Sequence, residues 1–220
     1  REMPGLIKLE LDIENLYVTS DLHLNHKNII KYCDRPFEFS SSGVEEMNNV
    51  LIHNLMQLPE GCTLLNLGDW ALLPGSTKNR NLVHSVIENL LEKNISVYTV
   101  LGNHDRIFQK VENVHGSFIN EEDLDKVYLQ KHDEYEAKSV WFSGLGKILL
   151  NEKYYLAHEP FYLREKDKLQ LHGHIHNNPL HREDEWKSNV NNKLLGNYIN
   201  CCADVHGFKP VNFSELIAGK

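Results

Sequence analysis

The sequence lacks any long apolar run: stretches such as Ile148 to Leu150 fall far short of the ~20 residues that a membrane-spanning helix needs. No membrane partner is therefore expected. No basic segment followed by a long apolar one opens the chain, so no secretory leader is expected either. Cysteine is scarce, with 4 in 220 residues. Cys201 and Cys202 are neighbours that could bridge only under strain, and Cys33 and Cys62 stand alone. That excludes a disulfide scaffold and offers no zinc–thiolate spacing. It fits buried thiols in a reducing cytoplasm. Positive charge is also in deficit, with 23 Lys and Arg against 31 Asp and Glu and a formal net charge of −8. Proteins that coat nucleic acid are basic as a rule, so bulk electrostatic binding to a duplex or a membrane surface is not expected. A local basic patch or a bound metal could still attract phosphate. Repeats and low-complexity segments are absent.

What remains is the composition of an ordinary soluble globular chain, 41% apolar and 25% charged, read as a single domain over 1–220. One residue type is abundant. There are 13 histidines, and neutral imidazole is the commonest metal-binding side chain.

Strands and helices alternate in the first half. Leu16-Tyr17-Val18 reads as a buried strand ending at Thr19-Ser20-Asp21. Ser42 with Glu45 looks like a capping box opening a helix with Val44, Met47, Leu51, Leu55 and Leu58 on its apolar face. Thr63 to Leu67 is a second strand, stopping at Gly68-Asp69-Trp70. Leu82, Val83, Val86, Ile87, Leu90 and Leu91 form another helical stripe that Asn94 ends. Ile95 to Leu101 stops at Gly102-Asn103-His104-Asp105. The second half is richer in strands: Ser139 to Phe142, Lys147 to Leu150, Tyr154 to Ala157, Lys168 to Leu171 and Tyr198 to Cys202. The polar stretch from His181 to Lys193 reads as an exposed loop.

Several strands end in clusters of His, Asp or Asn, which is where open α/β sheets place their ligands. The candidates are Asp21, His23, Asp69, Asn103, His104, His158, His174 and His176. Asp21-Leu22-His23 and His174-Ile175-His176 are i, i+2 pairs, and in an extended segment such pairs point to one side. Carboxylate, imidazole and amide oxygen together suit manganese, iron, zinc or nickel. Setting His104 aside, seven ligands are too many for one tetrahedral ion and fit two ions sharing a carboxylate. Asp69, alone on its loop between paired donors, is the natural bridge.

The order Asp21-x-His23, Gly68-Asp69, Gly102-Asn103-His104-Asp105, His158, Gly173-His174-x-His176 resembles the calcineurin-like metallophosphoesterases. His26 to Phe37 and the ending Asn200 to Asp204 with Lys209-Pro210-Val211 further resemble a compact bacterial and phage branch of that family. The resemblance implies an α/β fold of two packed β-sheets flanked by helices, the four-layer αββα metallophosphatase sandwich. It implies one ion on Asp21, His23 and His176, another on Asn103, His158 and His174, and Asp69 between them, with manganese the first choice. A hydroxide shared by the ions would attack phosphorus in line. His104 would assist the leaving group as a catalytic residue, and Asp105 would orient the His104 ring.

Arg35 is the candidate for gripping phosphate, against a structural salt bridge beside Pro36. His172 reads as a core residue or one behind the ligands. His53 and His84 read as polar helix-face residues, and His115, His132 and His181 as loop residues. His26 and His206 also read as structural, though each lies near a site motif. Trp70, Trp141 and Trp186 read as packing or surface groups. The expected substrate is a small phosphoester such as a nucleotide. The rivals are a nuclease or phosphodiesterase on nucleic acid, a protein phosphatase, and a metal-binding scaffold without catalysis. Oligomeric state is not legible.

Overall fold

The computed structural model describes residues 6–72, 77–105, 127–131, 136–142, 147–161, 163, 165, 167–178 and 197–218. His115, His132, His181, Trp186 and the 181–193 loop reading lie outside these residues.

Two β-sheets pack face to face. The six-stranded sheet has β2 (Leu16–Thr19), β3 (Thr63–Asn66), β4 (Ser96–Val100) and β6 (Lys138–Phe142) in parallel order. Its edges are β11 (Val211–Asn212) beside β2 and β5 (Val127–Lys131) beside β6, both antiparallel. The five-stranded sheet runs β1 (Leu6–Leu9), β7 (Lys147–Leu150), β8 (Tyr154–Ala157), β9 (Leu169–His172) and β10 (Tyr198–Asn200). Within it β8, β9 and β10 are parallel.

Period-2 alternation divides the buried side chains between two main cores. Leu16, Val18, Leu65, Tyr98, Val100, Val140 and Phe142 of one sheet meet Ile148, Leu150, Tyr154, Leu156, Leu171 and Ile199 of the other. The opposite faces of the first sheet, with Leu64, Val97 and Trp141, pack against helices α2 (Ser41–Met56) and α3 (Thr77–Glu92). The outer face of the second sheet, with Leu149, Tyr155 and Tyr198, is covered by Leu163 and Phe161. A short helix α1 (Lys27–Tyr32) precedes α2, and α4 (Phe213–Ile217) buries Phe213 against the inter-sheet core. The two-sheet sandwich with flanking helices is therefore the fold of this chain. No helix of the described residues is long and apolar enough to cross a membrane.

The helix expected to open at Ser42 opens earlier: Ser40 is the cap, its Oγ accepting from the Gly43 N–H at 3.1 Å. Ser42 Oγ lies instead beside Ser40 Oγ and Glu38. Trp70 is fully buried, donating Nε1–H to Thr99 Oγ1 at 3.0 Å, and Trp141 is buried too, so both are packing groups. All four cysteines are buried and unpaired.

Because β2, β3 and β4 are parallel, as are β8, β9 and β10, their carboxyl ends deliver 20–23, 67–69, 101–105, 158, 173–176 and 201–204 to one edge of the sandwich. A parallel bridge between Ser20 and Cys202 ties the two sheets there.

Candidate metal centre

Two sets of donors converge at this edge and share one carboxylate. In the first, Asp21, His23 and His176 each place a ligand atom within 4.8 Å of the others. Asp21 Oδ1 lies 3.7 Å from both His23 Nε2 and His176 Nε2. In the second, His158 Nε2 lies 2.9 Å from Asn103 Oδ1 and 3.3 Å from His174 Nδ1, and Asn103 Oδ1 lies 3.2 Å from His174 Nδ1. Asp69 Oδ2 lies between the sets, 3.5 Å from His23 Nε2 and 3.3 Å from His158 Nε2. His104 stands at the rim, its ring centroid 5.2 Å from that of His23, and with His23 and Asp69 it forms a further group able to hold an ion.

The i, i+2 pairs converge for a different reason than strand parity. Neither pair lies in a strand, and Asp21, His23, His174 and His176 all have left-handed backbone, with φ of 57°, 53°, 70° and 52°. Asp69 has φ of 59°. Such conformations are costly for residues with a Cβ and gather at functional sites held by their surroundings. Here the restraint is visible. The N–H groups of Asp21 and His23 donate to the carbonyls of Gly68 and Asp69 at 2.9 and 3.0 Å. Glycine is required where these turns touch: a Cβ on Gly173 would collide with Ser20 Oγ and Asp21 Oδ2.

Three of the four imidazoles are oriented from behind, as ligating histidines are. His158 Nδ1 donates to the Leu67 carbonyl at 2.8 Å, so its Nε2 faces Asp69. His176 Nδ1 lies 2.8 Å from Asp204 Oδ2. His23 Nδ1 lies 3.1 Å from His26 Nδ1, within hydrogen-bond reach.

The charge balance is that of a site built for cations. Burial opposes ionisation of Asp21, but His23, His158 and His176 around it hold its carboxyl well below the usual range. Burial also pushes His158 and His176 down, yet Asp69 and Asp21 hold His158 up at about 9, and Asp204, Cys33 and Asp21 hold His176 up at about 10. Burial outweighs its neighbours at His23 and pushes that ring below its ordinary value. Asp21 Oδ1 and His23 Nε2 are buried with no hydrogen-bond partner, though they face each other. A carboxylate oxygen and an imidazole nitrogen orphaned in the interior are costly unless a ligand satisfies both. The donor set therefore fits divalent metal ions.

Two sequence expectations change, and one contact is new. Arg35 is turned inward. It is 4% exposed, donates to both oxygens of Asp204 at 2.8 and 3.0 Å, and donates to the carbonyls of Asp21 and Leu22, each at 2.8 Å. It is the structural salt bridge, and it pins the turn carrying Asp21 and His23. Asp105 does not orient the His104 ring. Its carboxylate accepts from the N–H groups of Asp69, Trp70 and Gly102 at 2.6, 2.9 and 2.9 Å, locking two ligand loops together. Burial, and then the charge of Asp69, push its carboxyl up while those three N–H groups pull it down. Asp204, which has no role in the sequence reading, joins Arg35 to His176. Of the other histidines, His26 and His172 are buried, and burial pushes each down to about 4. His206 Nε2 turns back onto the Asn200 carbonyl at 2.8 Å.

No family profile matches the chain. It is 29% identical over 210 residues to the uncharacterized protein MJ1445 of Methanocaldococcus jannaschii, covering 94% of this chain and 92% of that protein. Its structure is similar to the crystal structure of the Pseudomonas putida nuclease MPE, with a TM-score of 0.42 and 18% identity. That match covers 74% of this chain and spans only 62% of the nuclease's length.

Proposed function

We propose that the chain is a calcineurin-like metallophosphoesterase whose site holds two divalent cations, manganese before iron, zinc or nickel. The observation carrying this reading is the position of Asp69 Oδ2, within 3.5 Å of an imidazole nitrogen of each donor set. Asp21, His23 and His176 would hold one ion, Asn103, His158 and His174 the other, and Asp69 both. When bound, such ions supply Lewis acidity toward phosphate oxygens and acidify water to hydroxide near neutral pH.

The chain's own residues do the rest. The left-handed turns and the Arg35–Asp204 clamp preorganise the donors, so little reorganisation accompanies binding. Asp105 keeps the Asp69 and Asn103 loops in register. His104, half-buried at the rim, is tethered by its backbone N–H to Asp69 Oδ1 at 2.9 Å and leaves its ring for the leaving-group oxygen, as hydrogen-bond donor and general acid. The substrate is a phosphate ester, a nucleotide or other small phosphoester before nucleic acid. Four buried free thiols support a reducing, cytoplasmic setting.

Assay with Mn²⁺ of bis-p-nitrophenyl phosphate beside p-nitrophenyl phosphate tests this. Hydrolysis of either, lost together with metal in Asp69→Asn, supports it. Hydrolysis of neither points to a metal-binding scaffold.

A further inference from the structure

Helix α1 begins one residue after His26, and its exposed face carries Lys27, Asn28, Lys31 and Tyr32 while Ile29 and Ile30 are buried. The His26 ring lies 5.1 Å from His23 and 6.1 Å from His104, so this helix borders the donor cluster. The Tyr32 ring meets His26 edge-on at 6.3 Å and is 71% exposed, the most exposed large apolar side chain among the described residues.

The two lysines are unusual in their company. Lys27 Nζ and Lys31 Nζ lie 4.6 and 3.8 Å from the centroid of the same ring, Phe39. Among the described residues no carboxylate lies within 4.0 Å of either ammonium. Glu38, next to Phe39, is occupied by Ser40 and Ser42. In a chain with net charge −8, two ammonium groups thus flank one ring. The aromatic face holds them, and an anion would neutralise them.

We propose that this face of α1 is a binding platform for single-stranded nucleic acid, so that the substrate class is an oligonucleotide and the reaction cleavage of its phosphodiester. The inference rests on the phosphoesterase reading above. A base next to the scissile phosphate stacks on Tyr32, and flanking phosphates lie against Lys27 and Lys31. An aromatic ring beside a cationic track is how sequence-tolerant single-strand sites are built. A mononucleotide offers no flanking phosphate, so the lysine pair favours a polymer. The overall acidity of the chain is compatible, because the exposed carboxylates of Asp34 and Glu38 beside this face lie outside ion-pair range of both ammonium groups.

The test compares the full chain with Tyr32→Ala and with the Lys27→Gln, Lys31→Gln double variant, on bis-p-nitrophenyl phosphate and on single-stranded oligothymidylate with Mn²⁺. The expected parental result is cleavage of both. Tyr32→Ala raises KM for oligothymidylate about ten- to a hundred-fold with little change in kcat. The double variant flattens the slope of log KM against log salt by about 1.4, or ~0.7 for each phosphate that a lysine no longer neutralises. Bis-p-nitrophenyl phosphate has no flanking phosphate, so on it the double variant's KM shows the same salt slope as the parent's. Equal KM and salt slope in parent and variants would overturn the platform, as would a parent that cleaves bis-p-nitrophenyl phosphate but not oligothymidylate. A parent that cleaves neither overturns the phosphoesterase reading itself.

Discussion

Asp204 Oδ2 lies 2.8 Å from Nδ1 of His176, and the opposite oxygen of the same carboxylate accepts from Arg35 Nε at 2.8 Å. One carboxylate therefore sets the tautomer of a metal-facing imidazole and anchors the guanidinium that pins the Asp21–His23 turn. Asp204→Asn should weaken metal affinity about 10- to 100-fold, the usual effect of losing a partner behind a ligating histidine. Activity titrated against Mn²⁺ checks this, with the rate recovering at saturating metal. An unchanged metal midpoint would remove Asp204 from the account.

Arg35→Ala should lower unfolding free energy by about 3–5 kcal/mol, because it leaves the buried Asp204 carboxylate without its partner. Denaturant titration reads the loss. Parental stability with a raised KM would restore the phosphate-gripping role that the sequence suggests.

His104→Ala should keep both ions and lose about 10²- to 10⁴-fold in rate on an alkyl phosphodiester, with much less effect on p-nitrophenyl esters, whose leaving group needs no proton. Metal content and paired rates check this. An alkyl diester cleaved at the parental rate contradicts the acid role.

The site's identity is more legible in the sequence than its mechanics. The His, Asp and Asn clusters at strand ends are local patterns, and parallel strands bring them together by construction. The backbone that aims them is hidden. Asp21, His23, His174 and His176 converge through left-handed turns rather than strand parity, and nothing in their residue types announces a positive φ. The Arg35–Asp204 pair joins residues 169 positions apart, which no periodicity can reveal. Asp105 stands beside His104 in sequence, yet its partners are backbone groups 35 and 36 residues away as well as Gly102. The fold follows the same rule. Apolar strands buried on both faces are readable as short runs, whereas the short α1 and the edge strand β1, with no such run to mark them, are not.

Protons compete with metal. In the metal-free chain His158 and His176 are raised from 6.5 to about 9 and about 10. Groups raised in the folded state stabilise it fully below the unfolded value, near 6.5, and lose that contribution as pH rises through about 9 to 10. Metal needs the neutral rings, so affinity should strengthen over the same rise in pH, with about two protons released per chain at pH 7. Calorimetric Mn²⁺ titrations in buffers of different ionisation enthalpy count those protons. None released would contradict the charge state assigned to both histidines.

The most direct measurement is anomalous diffraction from crystals grown with saturating Mn²⁺. The account predicts two manganese peaks per chain, one against Asp21, His23 and His176 and one against Asn103, His158 and His174, with Asp69 touching both. A single peak, or two peaks that do not share Asp69, would contradict it.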